Sequence, residues 1–237
     1  MGVAKYVEIL DLLRTRSAGL PIATKLAPER ALAEEFDVSV MTVRQSLALL
    51  AHEGWVRRAP GSGTYVSRPT VSMGPSLTSF TEDMRGRGFA PSSTVLRVEE
   101  ISPDLETIAT LALRPRENAV VVERLRYADN EPMCHEIGLY PARLRDILLS
   151  ADLSGSVHEV LVAHSIAPQS TVRRVRAVVA PAHECKLLQL PQGSPALEIV
   201  DTFSDALGQP VQHVRTRYRF DRYEVQTNIE RPPAPLR

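Results

Sequence analysis

Apolar residues recur at helical spacing after residue 38. Val43, Leu47 and Leu50 follow one another at intervals of four and three positions, so they share one face of a helix that packs inward. Ser39 precedes this face and is a good N-cap, because its hydroxyl can accept a hydrogen bond from an amide of the first turn. The opposite face at the N-terminal end of this predicted helix carries four other side chains: Met41, Thr42, Arg44 and Gln45.

A shorter apolar repeat precedes this helix. Leu32 and Phe36 lie four residues apart, which predicts a first helix within residues 26–36. Pro28 suits the first helical position of that segment, where no amide hydrogen is needed. Residues 37–38 then leave only a tight connection, as a helix-turn-helix requires.

Two short β-rich runs follow the second helix. Gly54 ends the helical pattern, and residues 55–58 and 64–67 have the composition of two strands joined by a hairpin. Gly61 and Gly63 in the connecting tip allow the backbone to approach a phosphate or a minor groove closely. The pattern therefore predicts a winged helix-turn-helix whose second helix enters a DNA major groove.

These motifs resemble the GntR family of bacterial transcription regulators, over most of residues 5–68. The family patterns are L-P-S-E-R-x-L-A, V-S-R-x-T-V-R-x-A-L, and E-G-x followed after four residues by G-x-G-T-F-V. The positions that match are Leu26, Glu29, Arg30, Leu32, Ala33, Val38, Ser39, Thr42, Val43, Arg44, Leu47, Glu53, Gly54, Gly61, Gly63, Thr64 and Val66. The resemblance implies double-stranded operator DNA as a partner.

Side chains on the second helix and the wing are the predicted DNA contacts, because their types read base edges or hold phosphates. The resemblance adds the arginines and the wing glycine as contacts. Val40 stands where the family pattern has arginine, so one usual contact is missing. The predicted DNA-binding residues are Arg30, Ser39, Met41, Thr42, Arg44, Gln45, Gly61, Ser62 and Gly63.

Beyond residue 76 the pattern changes to short strands joined by hairpin loops, with interspersed helices. Ser79 and Glu82, three residues apart, form the signature of a capping box at the start of the first of these helices. Such an alternation predicts an antiparallel α+β domain. The predicted strands cover 95–101, 119–127, 133–140, 171–179, 196–205, 211–220 and 223–229, and the predicted helices cover 77–88, 103–111, 143–149, 156–164 and 182–188.

Prolines, a glycine and small polar residues between these halves predict a linker with little power to pack. The predicted domains are therefore a winged helix-turn-helix at 1–68, a linker at 69–76 that lets the domains reorient, and an effector-binding and dimerisation domain at 77–237.

Length and composition limit the possible classes of protein. The chain of 237 residues is long enough for one small and one medium domain. It is 43% hydrophobic and 24% charged, as suits a soluble globular protein, and shows neither a membrane-length apolar run nor a signal peptide. The two cysteines, Cys134 and Cys185, form no metal or disulfide pattern and favour the cytoplasm. Zero net charge gives no support to a nucleic-acid partner, and residues 1–68 have an excess of only two basic groups.

The second half resembles the UTRA effector domain of the HutC branch of these regulators, from about residue 77 to 229. The residues that carry this resemblance are 77–84, 123–126, 131–133, Glu136, 208–211 and 218–223. It implies a chorismate-lyase-like fold, a small-molecule effector and a homodimer. Residues 77–84 are most similar to regulators of N-acetylglucosamine use, the NagR and DasR type, which implies a phosphorylated amino sugar.

Arg124 and Arg126 lie two apart on a predicted strand, so they point to one face. Two neighbouring guanidinium groups repel one another unless an anion lies between them, and a phosphate, sulfate or carboxylate would accept bidentate hydrogen bonds from them. The alternative is that each pairs with an acid such as Glu123 or Glu136, or lies in solvent.

The resemblance implies an effector site, and two positions depart from it. Gln212 lies where sugar-phosphate regulators often have glutamate, and His158 lies near a position often held by tyrosine. An amide in place of a carboxylate changes which hydroxyl or amino group is preferred. The predicted effector-binding residues are Thr81, Arg124, Arg126, Glu136, Ser156, Gln212 and Tyr218.

An enzyme of chorismate-lyase-like fold with an added DNA-binding head is the alternative. Cys134 and His135 place a thiol beside an imidazole, but adjacent strand residues point to opposite faces and cannot form a nucleophile–base pair. The histidines have no metal-ligand spacing. We therefore predict a cytoplasmic, homodimeric, effector-controlled repressor with no metal, no cofactor and no catalytic residues.

Overall fold

A computed structural model describes residues 5–73 and 77–227. The chain divides into two compact units at Val71 and Ser72. The predicted boundaries, at 68 and 77, fall on either side of this division.

The first unit consists of three helices and a two-stranded hairpin. The helices are α1 (Lys5–Ala18), α2 (Glu29–Glu35) and α3 (Val40–His52), and the strands are β1 (Val56–Ala59) and β2 (Gly63–Val66). The hairpin is antiparallel, with Val56 opposite Val66 and Ala59 opposite Gly63. This is the predicted winged helix-turn-helix.

Leucines and valines from all three helices form the core of the first unit. Leu13, Leu32, Val43, Leu47 and Leu50 are each at most 1% exposed. The apolar face predicted for α3 is thus the buried one, and the polar N-terminal face is left outside.

Two local expectations for the first unit differ from the structure. Pro28 is the N-cap of α2, with φ −57° and ψ 149°, rather than its first helical residue. The predicted start of α2 is therefore one position early, because proline fits the extended N-cap as well as it fits the first helical position. Helix α1 was not predicted, and its Ile9, Leu10 and Leu13 are buried.

The second unit is built on six strands, which are β4 (Pro91–Ile101), β5 (Ala119–Ala128), β6 (Glu131–Pro141), β7 (Ser170–Val179), β8 (Pro195–Ser204) and β9 (Pro210–Arg219). They form one fully antiparallel sheet with the order β4-β5-β6-β9-β8-β7. This confirms the predicted antiparallel α+β class.

Short helices cover this sheet. They are α4 (Phe80–Gly86), α5 (Leu105–Thr110), α6 (Arg145–Ser150), α7 (Val157–Ala163) and α8 (Ala182–Leu187), with a 3-10 turn at Ala142–Leu144. The predicted capping box of α4 is present, since Ser79 Oγ accepts from Glu82 N and Glu82 Oε2 accepts from Ser79 N. Val120, Val122 and Tyr140 of the sheet pack with Leu148 and Leu161 of the helices.

The segment between the predicted domains has more structure than its composition suggests. Residues Val71–Met73 form β3, which pairs with β10 (Tyr223–Val225), and Val71 is only 1% exposed. The expectation of a linker that packs little is therefore wrong for these residues. Residues 74–76 and Ile229, the predicted end of the last strand, lie outside the described residues.

A search of the described helices for one long and apolar enough to cross a membrane finds none.

Candidate DNA-binding surface and effector cavity

The N-terminal end of α3 presents its side chains outward. Ser39 caps the helix, because its Oγ accepts from Thr42 N at 3.1 Å, and the two hydroxyls lie 2.9 Å apart. Met41 is 68% exposed, and Arg44 and Gln45 are also exposed. The predicted recognition residues on α3 are therefore available to a partner.

Arg44 is held by an acidic residue of α2. Its Nε and Nη2 donate to Glu29 Oε2 at 3.0 and 2.9 Å, and Arg58 Nη2 donates to the Arg44 carbonyl at 3.1 Å. The side chains of Arg44 and Glu29 are 54% and 30% exposed, and such an exposed pair contributes only about 0–1 kcal/mol. The Arg44 guanidinium can therefore exchange Glu29 for a phosphate or a base edge at low cost.

A groove lies between the start of α2, the start of α3 and the wing, and it encloses about 930 Å³ when the open solvent at its mouth is included. It brings together the predicted residues Arg30, Arg44, Gly61, Ser62 and Gly63, whereas the predicted side chains of Ser39, Met41, Thr42 and Gln45 do not line it. The groove and the exposed end of α3 are two parts of one candidate DNA surface.

Lys25 lines the same groove and was not predicted. Its side chain crosses the wing so closely that a Cβ at Gly63 would lie 2.8 Å from Lys25 Cε. Gly63 also has φ +131° and Gly61 φ +71°, which other residues adopt at a cost. No sequence pattern predicts this role of Lys25, because its approach to the wing depends on a β-bridge between residue 25 and Tyr65, which are distant in the chain.

In the second unit, the predicted effector residues meet on one face of the sheet. Arg124 of β5 lies opposite Glu136 of β6, and Glu136 lies opposite Thr216 of β9. Cross-strand partners point to the same face, so Arg126 and Tyr218 also share it.

Arg124 is 2% exposed and fully engaged. Its Nε donates to Glu136 Oε1 at 3.0 Å, and its Nη2 donates to the same oxygen. Nη1 donates to the carbonyls of Leu153 and Gly155 at 3.1 and 2.8 Å. Arg124 thus ties the sheet to the segment that leads into α7.

Arg126 is 3% exposed but only partly engaged. Its Nη1 donates to Glu136 Oε2 at 3.3 Å and its Nη2 to Thr81 Oγ1 at 2.8 Å, while its guanidinium lies 4.6 Å from the centre of the Phe80 ring. Its Nε is buried and has no hydrogen-bond partner among the described residues. Burial and the neighbouring Arg124 both lower the pKa of Arg126.

Glu136 serves both arginines. Burial opposes its ionisation, but the two guanidinium groups outweigh burial and hold the pKa of Glu136 at about 2. The alternative that the arginines pair with an acid is thus realised with Glu136 and not with Glu123, whose carboxylate contacts His135 and Arg97. Two cations around one carboxylate still leave one positive charge in excess.

A cavity lies beside this cluster and encloses about 610 Å³, its open mouth included. The predicted Arg124, Arg126, Glu136, Ser156, Gln212 and Tyr218 line it. Predicted Thr81 lies behind Arg126 and does not line the cavity. The lining residues that were not predicted as contacts are Thr78, Ser79, Phe80, Asp83, Val157, His158, Arg173, Asp201, Phe203, Val214, Thr216 and Tyr223.

A chain of uncharged groups forms another part of the wall. Gln212 Nε2 donates to Tyr140 Oη at 2.9 Å, and Gln212 Oε1 lies 3.0 Å from His158 Nε2. The His158 ring packs edge-on against Phe203, with ring centres 4.8 Å apart. Burial lowers the pKa of His158, although its hydrogen bond to Gln212 acts the other way, so this imidazole is neutral near pH 7.

The geometry argues against nucleophilic chemistry at the adjacent Cys134 and His135. Cys134 pairs across the sheet with Arg126 and Tyr218, whereas His135 contacts Glu123 and Glu184 on the other face. Burial raises the pKa of the Cys134 thiol, which keeps it protonated and unreactive. Within residues 5–73 and 77–227, no three His, Cys, Asp or Glu side chains are placed to hold a metal ion.

An exposed recognition helix beside a wing, and a charged cavity in a separate α+β unit, define a DNA-binding regulator with an effector domain. Residues 5–66 match the gntR family of bacterial regulatory proteins, and residues 86–224 match the UTRA domain. The chain belongs to the GntR family of transcriptional regulators, in its HutC-type branch with a UTRA effector domain.

The similarity to known proteins extends over nearly the whole chain. The HTH-type transcriptional repressor NagR of Bacillus subtilis (strain 168) is 32% identical over 230 residues, or 95% of each chain. The mannosyl-D-glycerate transport/metabolism system repressor MngR of Escherichia coli (strain K12) is 28% identical over 95% of this chain and 96% of that protein. The crystal structure of PhnF from Mycobacterium smegmatis shares the fold, with a TM-score of 0.73, 24% identity, and coverage of 94% of this chain and 99% of that one.

Proposed function

We propose that this chain is a cytoplasmic, homodimeric repressor that binds operator DNA through the groove and α3, and that a small anionic effector, a sugar phosphate, controls it from the UTRA cavity. The observation that carries the effector class is the buried cluster of Arg124, Arg126 and Glu136, with its excess positive charge. NagR and MngR, which are named as repressors, support the sign of regulation.

The anionic effector follows from the energetics of the cluster. A buried charge is costly unless it is paired and hydrogen-bonded. Arg126 has a buried Nε without an acceptor in the described ranges and shares its one carboxylate with Arg124. A phosphate oxygen would accept from a guanidinium in a charge-assisted hydrogen bond and would compensate the excess charge.

The hydroxyls of two serines that line the cavity, Ser79 and Ser156, can also donate hydrogen bonds to an anion. Ser79 Oγ accepts from Glu82 N and Ser156 Oγ accepts from Glu159 N, so each hydroxyl retains its own hydrogen for an acceptor. Both serines are buried, at 8% and 3% exposure. Phosphate oxygens accept only, and they match a wall that offers donors.

The cavity must widen to admit such a ligand. Without its open mouth, the cavity has a volume of only about 60 Å³. A ligand that binds the widened state better than the closed one shifts the balance between them, which is what control of a second activity requires.

A chain of contacts links the cavity to the start of the second unit. Tyr223 and Asp83 line the cavity, and Tyr223 Oη donates to Asp83 Oδ2 at 3.2 Å. Arg87 Nε donates to Asp83 Oδ1 at 3.0 Å, and Arg87 Nη2 donates to the carbonyl of Ser72, the first residue of this unit. A ligand that displaces Asp83 or Tyr223 therefore acts on the backbone that leads to the DNA-binding unit.

A thermal-shift comparison tests the effector class. N-acetylglucosamine 6-phosphate should raise the Tm, and N-acetylglucosamine should raise it much less. At about 100 times the Kd, a ligand stabilises the folded state by about 2.7 kcal/mol, which is readily detected. No shift with any phosphorylated sugar would contradict the proposal.

Arg126→Gln should abolish this shift and still fold, because it leaves Arg124 and Glu136 as a neutral pair. Arg85→Gln is the matched control, since Arg85 is an α4 arginine in an exposed pair with Glu159 and does not line the cavity. It should retain the wild-type shift.

A further inference from the structure

We propose that the UTRA cavity selects anions whose remaining groups are uncharged and rejects anions that also carry an ammonium group. An N-acetylated or plain hydroxylated sugar phosphate would bind, and the corresponding free-amine sugar phosphate would bind poorly. This inference rests on the proposed function and narrows its ligand class.

Each carboxylate that lines the cavity, among the described residues, is already paired with an arginine. Glu136 is shared by the two buried arginines. Asp201 accepts from Arg173 Nε and Nη2 at 2.8 and 3.0 Å. Asp83 lies 2.9 Å from Arg87 and also accepts from the Tyr223 hydroxyl. A ligand ammonium would therefore have to share a carboxylate whose charge a guanidinium group already neutralises.

The uncharged part of the wall offers an ammonium no better partner. Both polar atoms of the Gln212 amide are engaged, Nε2 with Tyr140 Oη and Oε1 with His158 Nε2. Gln212 is only 3% exposed, so this arrangement is desolvated and fixed. Moving an ammonium from water to a site without an anionic partner is costly, and the excess charge of the arginine cluster would repel it as well.

Gln212 is therefore the residue that sets this selectivity. Glutamate at this position would have nearly the same size and would add a negative charge to the same wall. Gln212→Glu should consequently raise the affinity for a ligand ammonium. Hydroxyl and acetamido groups need no counter-ion, so the neutral wall around Gln212 does not exclude them.

This inference can be tested by isothermal titration calorimetry of the full-length protein. The three ligands are N-acetylglucosamine 6-phosphate, glucose 6-phosphate and glucosamine 6-phosphate. We expect the two ligands without an ammonium to bind wild type at least tenfold more tightly than glucosamine 6-phosphate. Gln212→Glu should narrow that ratio by at least tenfold. Equal binding of all three by wild type would overturn the selectivity and leave the proposed function standing, whereas no binding of any would overturn both.

A pH series on wild type provides a second readout that needs no variant. Raising the pH through the pKa of the glucosamine 6-phosphate amine removes its charge, so its affinity should rise toward that of glucose 6-phosphate. The affinity ratio of the other two ligands should stay constant over the same range. A constant affinity for glucosamine 6-phosphate across this range would contradict the inference.

Discussion

The DNA-binding unit and the effector unit both use arginine–glutamate pairs, but at opposite levels of burial. Arg44 and Glu29 are 54% and 30% exposed, whereas Arg124 and Glu136 are 2% and 10% exposed. The first pair is screened by water, so breaking it costs little free energy. The second pair is desolvated, and each partner depends on the other to compensate its buried charge.

The two regions thus differ in how a carboxylate holds an arginine that is proposed to bind an anion. At the proposed DNA surface, Glu29 holds Arg44 in an exposed pair, and we propose that a polyanion replaces Glu29. In the cavity, Glu136 compensates one of two buried cations, and Arg126 keeps part of its binding capacity. The exposed site therefore suits a large partner with many weak contacts, and the buried site suits a small ligand with a few strong ones.

The largest expected effect comes from removing the buried partner. Glu136→Gln leaves two buried guanidinium groups without a carboxylate and should destabilise the protein by about 3–5 kcal/mol. Glu29→Gln, its exposed counterpart, should cost no more than about 1 kcal/mol. Urea unfolding of both variants measures the contrast. Similar losses for the two would show that burial does not distinguish these pairs.

The next effect concerns operator affinity. Arg44→Ala and Arg30→Ala should each weaken binding to an operator selected from random DNA, with about 1–3 kcal/mol of discrimination lost for a base-reading arginine. Neither should alter the Tm strongly, because both side chains are exposed. Fluorescence anisotropy at two salt concentrations measures this. Wild-type affinity in both variants would rule out this DNA surface.

A smaller effect is expected at the wing. Gly61 has φ +71° and open space around it, so valine would meet strain there rather than a clash. Gly61→Val should reduce operator affinity, because the wing tip can no longer adopt its native backbone, and should leave effector affinity unchanged. Loss of effector binding as well would mean that the two units do not act independently.

The smallest effect is a pH dependence of stability. Burial opposes protonation of His135, but its hydrogen bonds with Glu184 and Glu123 outweigh burial and raise its pKa above 6.5. The stabilisation is therefore fully present below the unfolded-state pKa and is lost as the pH rises through the folded-state pKa. The Tm difference between wild type and His135→Gln should shrink over that range. A Tm difference that does not change with pH would contradict the raised pKa of His135.

The parts of each region that could be predicted from the sequence are those that short-range interactions along the chain determine. The helix-turn-helix and wing depend on short-range signals, such as the Ser39 cap, the Val43 and Leu47 spacing and Gly54. The predicted hairpin of residues 119–140 likewise brings Arg124 opposite Glu136. These parts of the fold were visible in the sequence.

Other parts depend on contacts between distant segments. The pair Arg173 and Asp201 forms because β7 lies beside β8, and β3 exists because β10 lies beside it. Lys25 reaches the groove only through its bridge to the wing. None of these follows from periodicity or capping, since strand order and bridges are set by the whole fold.

The central claim is that an anionic ligand in the UTRA cavity changes the affinity for operator DNA, and one titration tests it most directly. The selected operator is titrated with wild-type protein and with Arg126→Gln, each with and without saturating N-acetylglucosamine 6-phosphate. We predict that the ligand weakens wild-type binding by about 5–150-fold, the usual range of coupling between two sites, and leaves Arg126→Gln unaffected. Unchanged wild-type affinity in the presence of a ligand that demonstrably binds would contradict the account.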